Sequence, residues 1–239
     1  MSLSLLHTND LHGHLTSETK GALQAWREES DLYFDTGDAI KAGNLAIPLR
    51  PEAVWLDLAD LRCTASVPGN RESHPLAAGW SAKTAGLSHP LLCANFRFKN
   101  GGLVLPGSLE LEVQGLRVGV LGVMVPMVTE RMKASLAASA FVWDQPVPCA
   151  VRLAEELRPR VDLLIALTHI GIAKDRELAA ATDLIDIILG GHSHTVLDVP
   201  KKVGRTWIAQ GGSHARFVGR YWWENGVLSG GLVPWKGAK

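Results

Sequence analysis

"LSLLHTNDLHGH", residues 3–14, begins as an apolar run and ends in a tight group of polar residues. The run fits a buried strand, and Asp10 and His12 fall just past its end. The same arrangement recurs along the chain. "DLYFDTGD" (31–38) delivers Asp38, "CTASVPGN" (63–70) delivers Asn70, and "DLLIALTH" (162–169) delivers His169. "DIILGGHS" (186–193) delivers His192, with His194 two residues on. "HPLLCAN" (89–95) and "LRVGVLGVMV" (116–125) read as further buried strands. In an open α/β sheet, the C-terminal strand edge is where sites assemble. One histidine beside an apolar run would be an ordinary core residue. Five segments presenting Asp, His or Asn at one relative place imply a convergent site.

Helical patterns lie between many of these strands. "SETKGALQAWREES" (17–30) starts at Ser17 as its cap, and "PEAVWLDLADL" (51–61) has proline in its first turn. "PVPCAVRLAEELRPR" (146–160) and "AKDRELAAAT" (173–182) complete the set. Strands alternating with helices give an α/β class. The final stretch, 205–231, reads instead as strands and turns, with "ENG" marking a hairpin. No linker, repeat or low-complexity tract divides residues 1–239, so a single catalytic domain is expected.

Composition removes several function classes. Lys+Arg and Asp+Glu both number 24, so formal net charge is zero and no nucleic-acid partner is expected. The longest apolar run, "VGVLGVMVPMV" (118–128), is too short for the roughly 20 residues of a membrane span. Cys63, Cys93 and Cys149 are odd in number and widely spaced, which reads as buried free thiols in a reducing compartment. The N-terminus carries no leader-like pattern, so the expected location is cytoplasmic.

Histidine, carboxylate and amide oxygen together suit manganese, iron or zinc. Seven such residues exceed one tetrahedral site and match two divalent ions about 3.5–4 Å apart. Asp38, after Gly37 in a turn that allows close backbone approach, is the natural bridge. Asp10 and His12, one residue apart, point the same way if the backbone there is extended. His192 and His194 repeat that spacing. Two clamped ions can hold a phosphoryl group and acidify a bound water.

"LHTNDLHGH", "DTGDAI", "GNRES", "THIG" and "GGHSHT", in this order, resemble the calcineurin-like metallophosphoesterase superfamily, most closely the catalytic domain of its 5′-nucleotidase branch. "QGGSHARFVGR" resembles that family's closing loop and strand. The resemblance implies two β-sheets packed face to face and flanked by helices. It also implies ligand roles. Asp10, His12 and His194 would hold a first metal, Asn70, His169 and His192 a second, and Asp38 would bridge them. The implied activity is hydrolysis of a small phosphoester.

Two departures stand out. Arg71 occupies the place of the family's GNHE histidine, and His74 that of the aspartate orienting it. Arginine can grip a phosphoryl charge but cannot donate a proton at neutral pH. The expectation is that Arg71 contacts the phosphate and His74 supplies an imidazole, placed on the same face three residues along a helical turn. The competing reading is that His74 caps or packs. The chain also ends at Lys239 without the branch's C-terminal nucleotide-binding domain, so the expectation is either a different phosphoester as substrate or a partner chain that completes the pocket. Phosphodiesterase activity, or a metal-containing protein that binds phosphate ligands without catalysis, are the rival functions.

Other residues complete the expected map. His14 and His214 are candidates for substrate contact, and His7 for orienting a ligand. His89 reads as structural. Trp26 and Trp55 read as core, Trp80 as a wall of the pocket. Trp222 and Trp223 are adjacent, so a strand places them on opposite faces, one buried and one exposed, and leaves a homo-oligomer contact open.

Overall fold

The structure is a computed structural model that describes residues 2–128 and 138–235. Two sheets dominate it. The first has the order β13-β12-β1-β2-β3, from β1 (Ser2–Thr8), β2 (Leu32–Asp35), β3 (Ala65–Ser66), β12 (Phe217–Glu224) and β13 (Val227–Pro234). The second has the order β10-β11-β9-β8-β6-β5, from β5 (Ser108–Val113), β6 (Leu116–Met124), β8 (Leu163–His169), β9 (Ile187–Gly190), β10 (Lys201–Val203) and β11 (Thr206–Gln210). β1, β2 and β3 run parallel, as do β6, β8, β9 and β11. β4 (Phe96–Phe98) and β7 (Phe141–Trp143) form a separate antiparallel pair.

The strand period of two sorts the side chains into layers. Leu3, Leu5, Leu32 and Phe34 of the first sheet share a buried cluster with Val118, Val120, Ile165, Leu167, Ile187 and Leu189 of the second. The two sheets therefore pack face to face. The alternate residues point outward. Leu6, Tyr33 and Val218 pack with Leu23 of α1 (Ser17–Glu28) and with Val54, Trp55 and Leu58 of α2 (Ala53–Asp60). Leu121, Val123, Leu164, Ala166 and Ile188 pack with Ala150 and Ala154 of α4 (Pro146–Leu157) and Leu178 of α5 (Ile172–Ala181). The layers are thus helix, sheet, sheet, helix, with α3 (Ala77–Lys83) beside the site. Leu3, Leu5, Ile165 and Leu167 are essentially inaccessible to water. Burying each stabilises the fold by about 1.5–3 kcal/mol.

Local signals hold in some places and shift in others. Asn225 and Gly226, both at positive φ, form the two-residue turn that pairs Glu224 with Val227. The cap of α1 is Thr16, not Ser17. Thr16 and Thr19 bond reciprocally, side chain to backbone N–H, at 2.8 and 3.3 Å. Residues 89–95 do not form a strand. Leu92 N donates to Ser66 O, Cys93 N to Pro106 O and Ala94 N to Gly122 O, so three partners share the segment and no ladder forms. A side chain on Gly122 would stand 2.3 Å from Leu92 O, which explains glycine at that crossing. Trp80 is half-buried. It packs edge-on against Phe96 and Phe141, its ring centroid 4.9 Å from the former. Trp55 is buried, Trp26 half-buried, Trp223 half-buried and Trp222 exposed. Among the described residues no helix is long and apolar enough to cross a membrane.

Candidate metal centre

The parallel strands of both sheets end at one place. β1 leads into Asp10 and His12, β2 into Asp38, β8 ends at His169, and β9 leads into His192 and His194. The backbone there is not extended as the spacing of Asp10 and His12 suggested. Both are left-handed, at φ 50° and 51°. The cause is a neighbouring loop: Asp10 N donates to Gly37 O at 2.9 Å, His12 N to Asp38 O at 2.8 Å and Gly13 N to Ala39 O at 2.9 Å. Asp38, His192 and His194 are left-handed too, at φ 56°, 75° and 53°. Each such non-glycine residue costs roughly 1–2 kcal/mol. Strain concentrated on the polar residues of one site is a mark of function.

The coiled loops nevertheless bring the side chains together. On one side, His12 Nε2 lies 3.7 Å from Asp10 Oδ1 and 3.4 Å from Asp38 Oδ2, and His194 Nε2 lies 3.3 Å from Asp10 Oδ1. On the other, His169 Nε2 lies 3.6 Å from Asp38 Oδ1 and 3.1 Å from Asn70 Oδ1, and His192 Nδ1 lies 2.9 Å from Asn70 Oδ1. Two donors about 2.1 Å from one ion stand roughly 3.0–3.4 Å apart at right or tetrahedral angles. Asp10, His12 and His194 form one group able to hold an ion, and Asp10, Asp38 and His169 another, all ligand atoms within 4.8 Å of one another. Asp10 Oδ1 and His12 Nε2 are buried without a hydrogen-bond partner, although both face the centre. Such groups are costly unless something satisfies them.

Charge reinforces this arrangement. Burial favours a neutral His12, but Asp10 and Asp38 outweigh it and raise its pKa to about 9. Burial would also raise Asp38, yet His169, His12 and the Arg71 N–H hold its carboxyl below the usual range. A cation at the centre would take over the role of the imidazolium proton.

Several residues that pattern reading did not single out fix the site. Asn9 Nδ2 donates to Asp10 Oδ2 at 2.7 Å and to Gly212 O at 2.7 Å, while its Oδ1 accepts from Gly211 N. Glu72, almost fully buried, accepts from Asp38 N at 2.8 Å, Gly69 N at 2.8 Å and Ile40 N at 3.0 Å. Asn44 Oδ1 accepts from Asn70 Nδ2 at 2.9 Å, which turns the Asn70 carbonyl toward His169 and His192. Thr36 O accepts from His169 Nδ1 at 2.7 Å, leaving Nε2 free for the centre. His7, which the sequence did single out, bonds the Thr36 hydroxyl at 2.9 Å, and burial lowers its pKa to about 3, so it is neutral. The only sequence signal for Glu72 was a charge inside a glycine-anchored motif. Asn9 and Asn44 carried none. Gly37 behaves as expected: a side chain there would stand 2.6 Å from Gly69 N.

Arg71 and His74 make separate contacts. The Arg71 backbone N–H donates to Asp38 Oδ1 at 2.7 Å, and its guanidinium donates to Lys41 O at 3.1 Å. Lys83, buried on α3, donates to Gly43 O at 2.7 Å and to Arg71 O. His74 is buried, and its Nδ1 accepts from Leu76 N at 3.0 Å. Its ring lies against Gly79, where an added side chain would stand 2.2 Å from Nδ1. This contact is that of a packed, capping histidine. His14 and His214 do lie at the centre: His214 is 4.9 Å from His14 and 4.6 Å from His12, ring to ring. His89 bonds the Ser66 hydroxyl at 2.7 Å, a structural contact.

Comparison with known proteins agrees with this geometry. A family model described as calcineurin-like phosphoesterase matches residues 3–196. Protein 5NUC of Lutzomyia longipalpis is 28% identical over 227 residues, covering 81% of this chain and 39% of that protein. A 5′-nucleotidase precursor from Thermus thermophilus superimposes with a TM-score of 0.79 at 20% identity, over 98% of this chain and 55% of its own. The calcineurin-like phosphoesterase YfkN from Bacillus subtilis also gives 0.79 at 20% identity, over 99% and 91% of the two chains. At these identities the structural likeness is one of fold. The chain spans half the length or less of curated relatives that it matches, at 39%, 49% and 18%.

Proposed function

Because the chain belongs to the calcineurin-like phosphoesterase family, whose model spans residues 3–196, we propose that it is a hydrolase of a small phosphomonoester working with two divalent ions. Asp10, His12 and His194 would hold one ion and Asn70, His169 and His192 the other. The observation that carries this reading is the splay of Asp38. Its Oδ2 faces His12 at 3.4 Å and its Oδ1 faces His169 at 3.6 Å, so one carboxylate would serve both groups of ligands. The orphaned Asp10 Oδ1 and His12 Nε2 fit the same reading. The mixed nitrogen and oxygen donor set suits manganese, iron or zinc.

When bound, the ions would supply Lewis-acid charge for the phosphoryl oxygens and an acidified water. The chain's own residues do the rest. Asn9 and the His192 N–H, 2.7 and 3.0 Å from Asp10 Oδ2, aim Asp10 Oδ1 at the centre. The Arg71 N–H fixes Asp38 Oδ1, and Thr36 O sets the His169 tautomer. The Arg71 guanidinium, which donates to Lys41 O at 3.1 Å, would serve as a cation for a phosphoryl oxygen. It offers no acid for the leaving group, so good leaving groups should be favoured.

Relatives named 5′-nucleotidase support the monoester reading. The test is turnover of mono-aryl and bis-aryl phosphate against manganese added to metal-free protein. The proposal requires mono-aryl turnover that rises to two equivalents and exceeds the bis-aryl rate. A higher bis-aryl rate would make the protein a phosphodiesterase. A plateau at one equivalent would remove the second ion.

A further inference from the structure

We propose that His214, resting on the two-metal reading above, is a positioning residue that fixes the tautomer and aim of His12. A neutral imidazole holds a metal through one ring nitrogen while the proton sits on the other, and that N–H almost always has an acceptor. For His12 the metal-facing atom is Nε2, between Asp10 and Asp38. Its other nitrogen, Nδ1, lies 3.3 Å from His214 Nε2, with the rings 80° apart, edge toward face. His214 Nδ1 in turn lies 2.8 Å from Ser213 Oγ. Arg216 holds that serine, Nε to Ser213 O at 3.1 Å and Nη2 to Ser213 Oγ at 3.4 Å. Arginine can only donate, so Ser213 Oγ accepts from it. Its second lone pair can accept the His214 Nδ1–H, and this tautomer, rather than the one in which the hydroxyl donates to Nδ1, is the one proposed. His214 Nε2 is then an acceptor for the His12 Nδ1–H, and His12 Nε2 is left bare toward the centre.

The backbone supplies a second, independent observation. His214 and Ala215 are consecutive non-glycine residues at φ 59° and 52°. His214 N also donates to Asp10 O at 2.8 Å, which locks the strained turn onto the ligand loop. Glycine at 214 would be free of that strain, so a histidine there is kept for its ring.

The test uses zinc, which is diamagnetic, with His214→Gly as the deletion and His214→Gln as the variant that retains an acceptor. Wild-type protein carrying ¹⁵N-labelled histidine and zinc should show His12 protonated at Nδ1 and ligated through Nε2. His214→Gly should keep or raise the melting temperature of the metal-free protein while weakening one zinc site about 10–100-fold. His214→Gln should recover most of that affinity. Unchanged zinc affinity in the glycine variant, or a glutamine variant no better than glycine, would overturn the role of His214 alone. So would a fall in metal-free stability shared by both variants, which would mark His214 as structural. Wild-type protein that binds fewer than two zinc ions would instead overturn the two-metal reading and this role with it.

Discussion

Replacing Glu72 by glutamine changes one atom, and the structure gives the consequence. Glu72 Oε2 accepts from both Asp38 N and Gly69 N at 2.8 Å, and Oε1 accepts from Ile40 N at 3.0 Å. Glutamine has one acceptor oxygen. Its best orientation keeps the bonds to Asp38 and Gly69 and turns an NH₂ group against the Ile40 N–H. A buried donor left without a partner costs about 1–3 kcal/mol, and the surviving bonds lose their charge assistance. The repulsion between Glu72 and Asp38, which together with burial raises the Glu72 pKa, is relieved and offsets part of this. The expected net loss is about 1–3 kcal/mol, or roughly 2–4 °C per kcal/mol in melting temperature for a chain of this size. Because Asp38 is held through this carboxylate, affinity for divalent metal should fall about 10–100-fold as well. Urea denaturation of the metal-free protein and calorimetric titration with zinc read the two effects. Glu72→Ala, which removes all three acceptors, should lose more on both. A glutamine variant within about 0.5 kcal/mol of wild type, with unchanged metal affinity, would refute the assignment of Glu72 as the brace of the Asp38 loop.

Other expectations follow from the same contacts. Burial raises Asp175 to about 7 against the opposing bonds from Thr168 and Gln210. The unfolded chain ionises first, so this group's contribution is full below about pH 4 and is lost as pH rises toward 7, by up to about 4 kcal/mol. Asp175→Asn should remove this group's share of the slope, read as the difference between wild type and variant in urea midpoints at pH 5 and pH 7.5, while Asp35, raised by burial to about 8, keeps its own. Gly79→Ala should cost about 1–3 kcal/mol by driving a methyl into the His74 ring. In a His74→Ala background it should become neutral or favourable by up to about 1 kcal/mol, since alanine is the better helix former. Arg71→His should raise turnover of alkyl phosphates relative to aryl phosphates, because it restores a proton donor beside the leaving group. An unchanged ratio would show that position 71 does not reach that group.

The layers were legible because each strand alternates cleanly. Leu3 and Leu5 belong to one cluster and Leu6 to another, and Ile165 and Leu164 divide in the same way. The convergence of Asp10, Asp38, His169 and His192 was legible because each follows an apolar strand. What was not legible depends on contacts distant in sequence. Glu72 serves Asp38, 34 residues away, and Asn9 serves Gly212, 203 residues away. The left-handed turns at Asp10 and His12 are imposed by bonds to the 37–39 loop, and alternation says nothing about them. His74 was weighed as an acid because a three-residue spacing puts it beside Arg71. The ring's placement depends on Gly79, whose missing side chain makes room for it. Residues 89–95 have the composition of a strand, but their backbone bonds go to three different partners.

The central claim is that Asp38 bridges two ions that together hydrolyse a phosphoester. The most direct measurement is turnover of an activated aryl phosphate by protein loaded with two equivalents of manganese, beside Asp38→Asn treated identically. Such a leaving group needs little protonation, so arginine at position 71 is least limiting. The account predicts steady turnover in the wild type and none above background in the variant. Two bound ions with no turnover in the wild type, or equal turnover in both proteins, would contradict it.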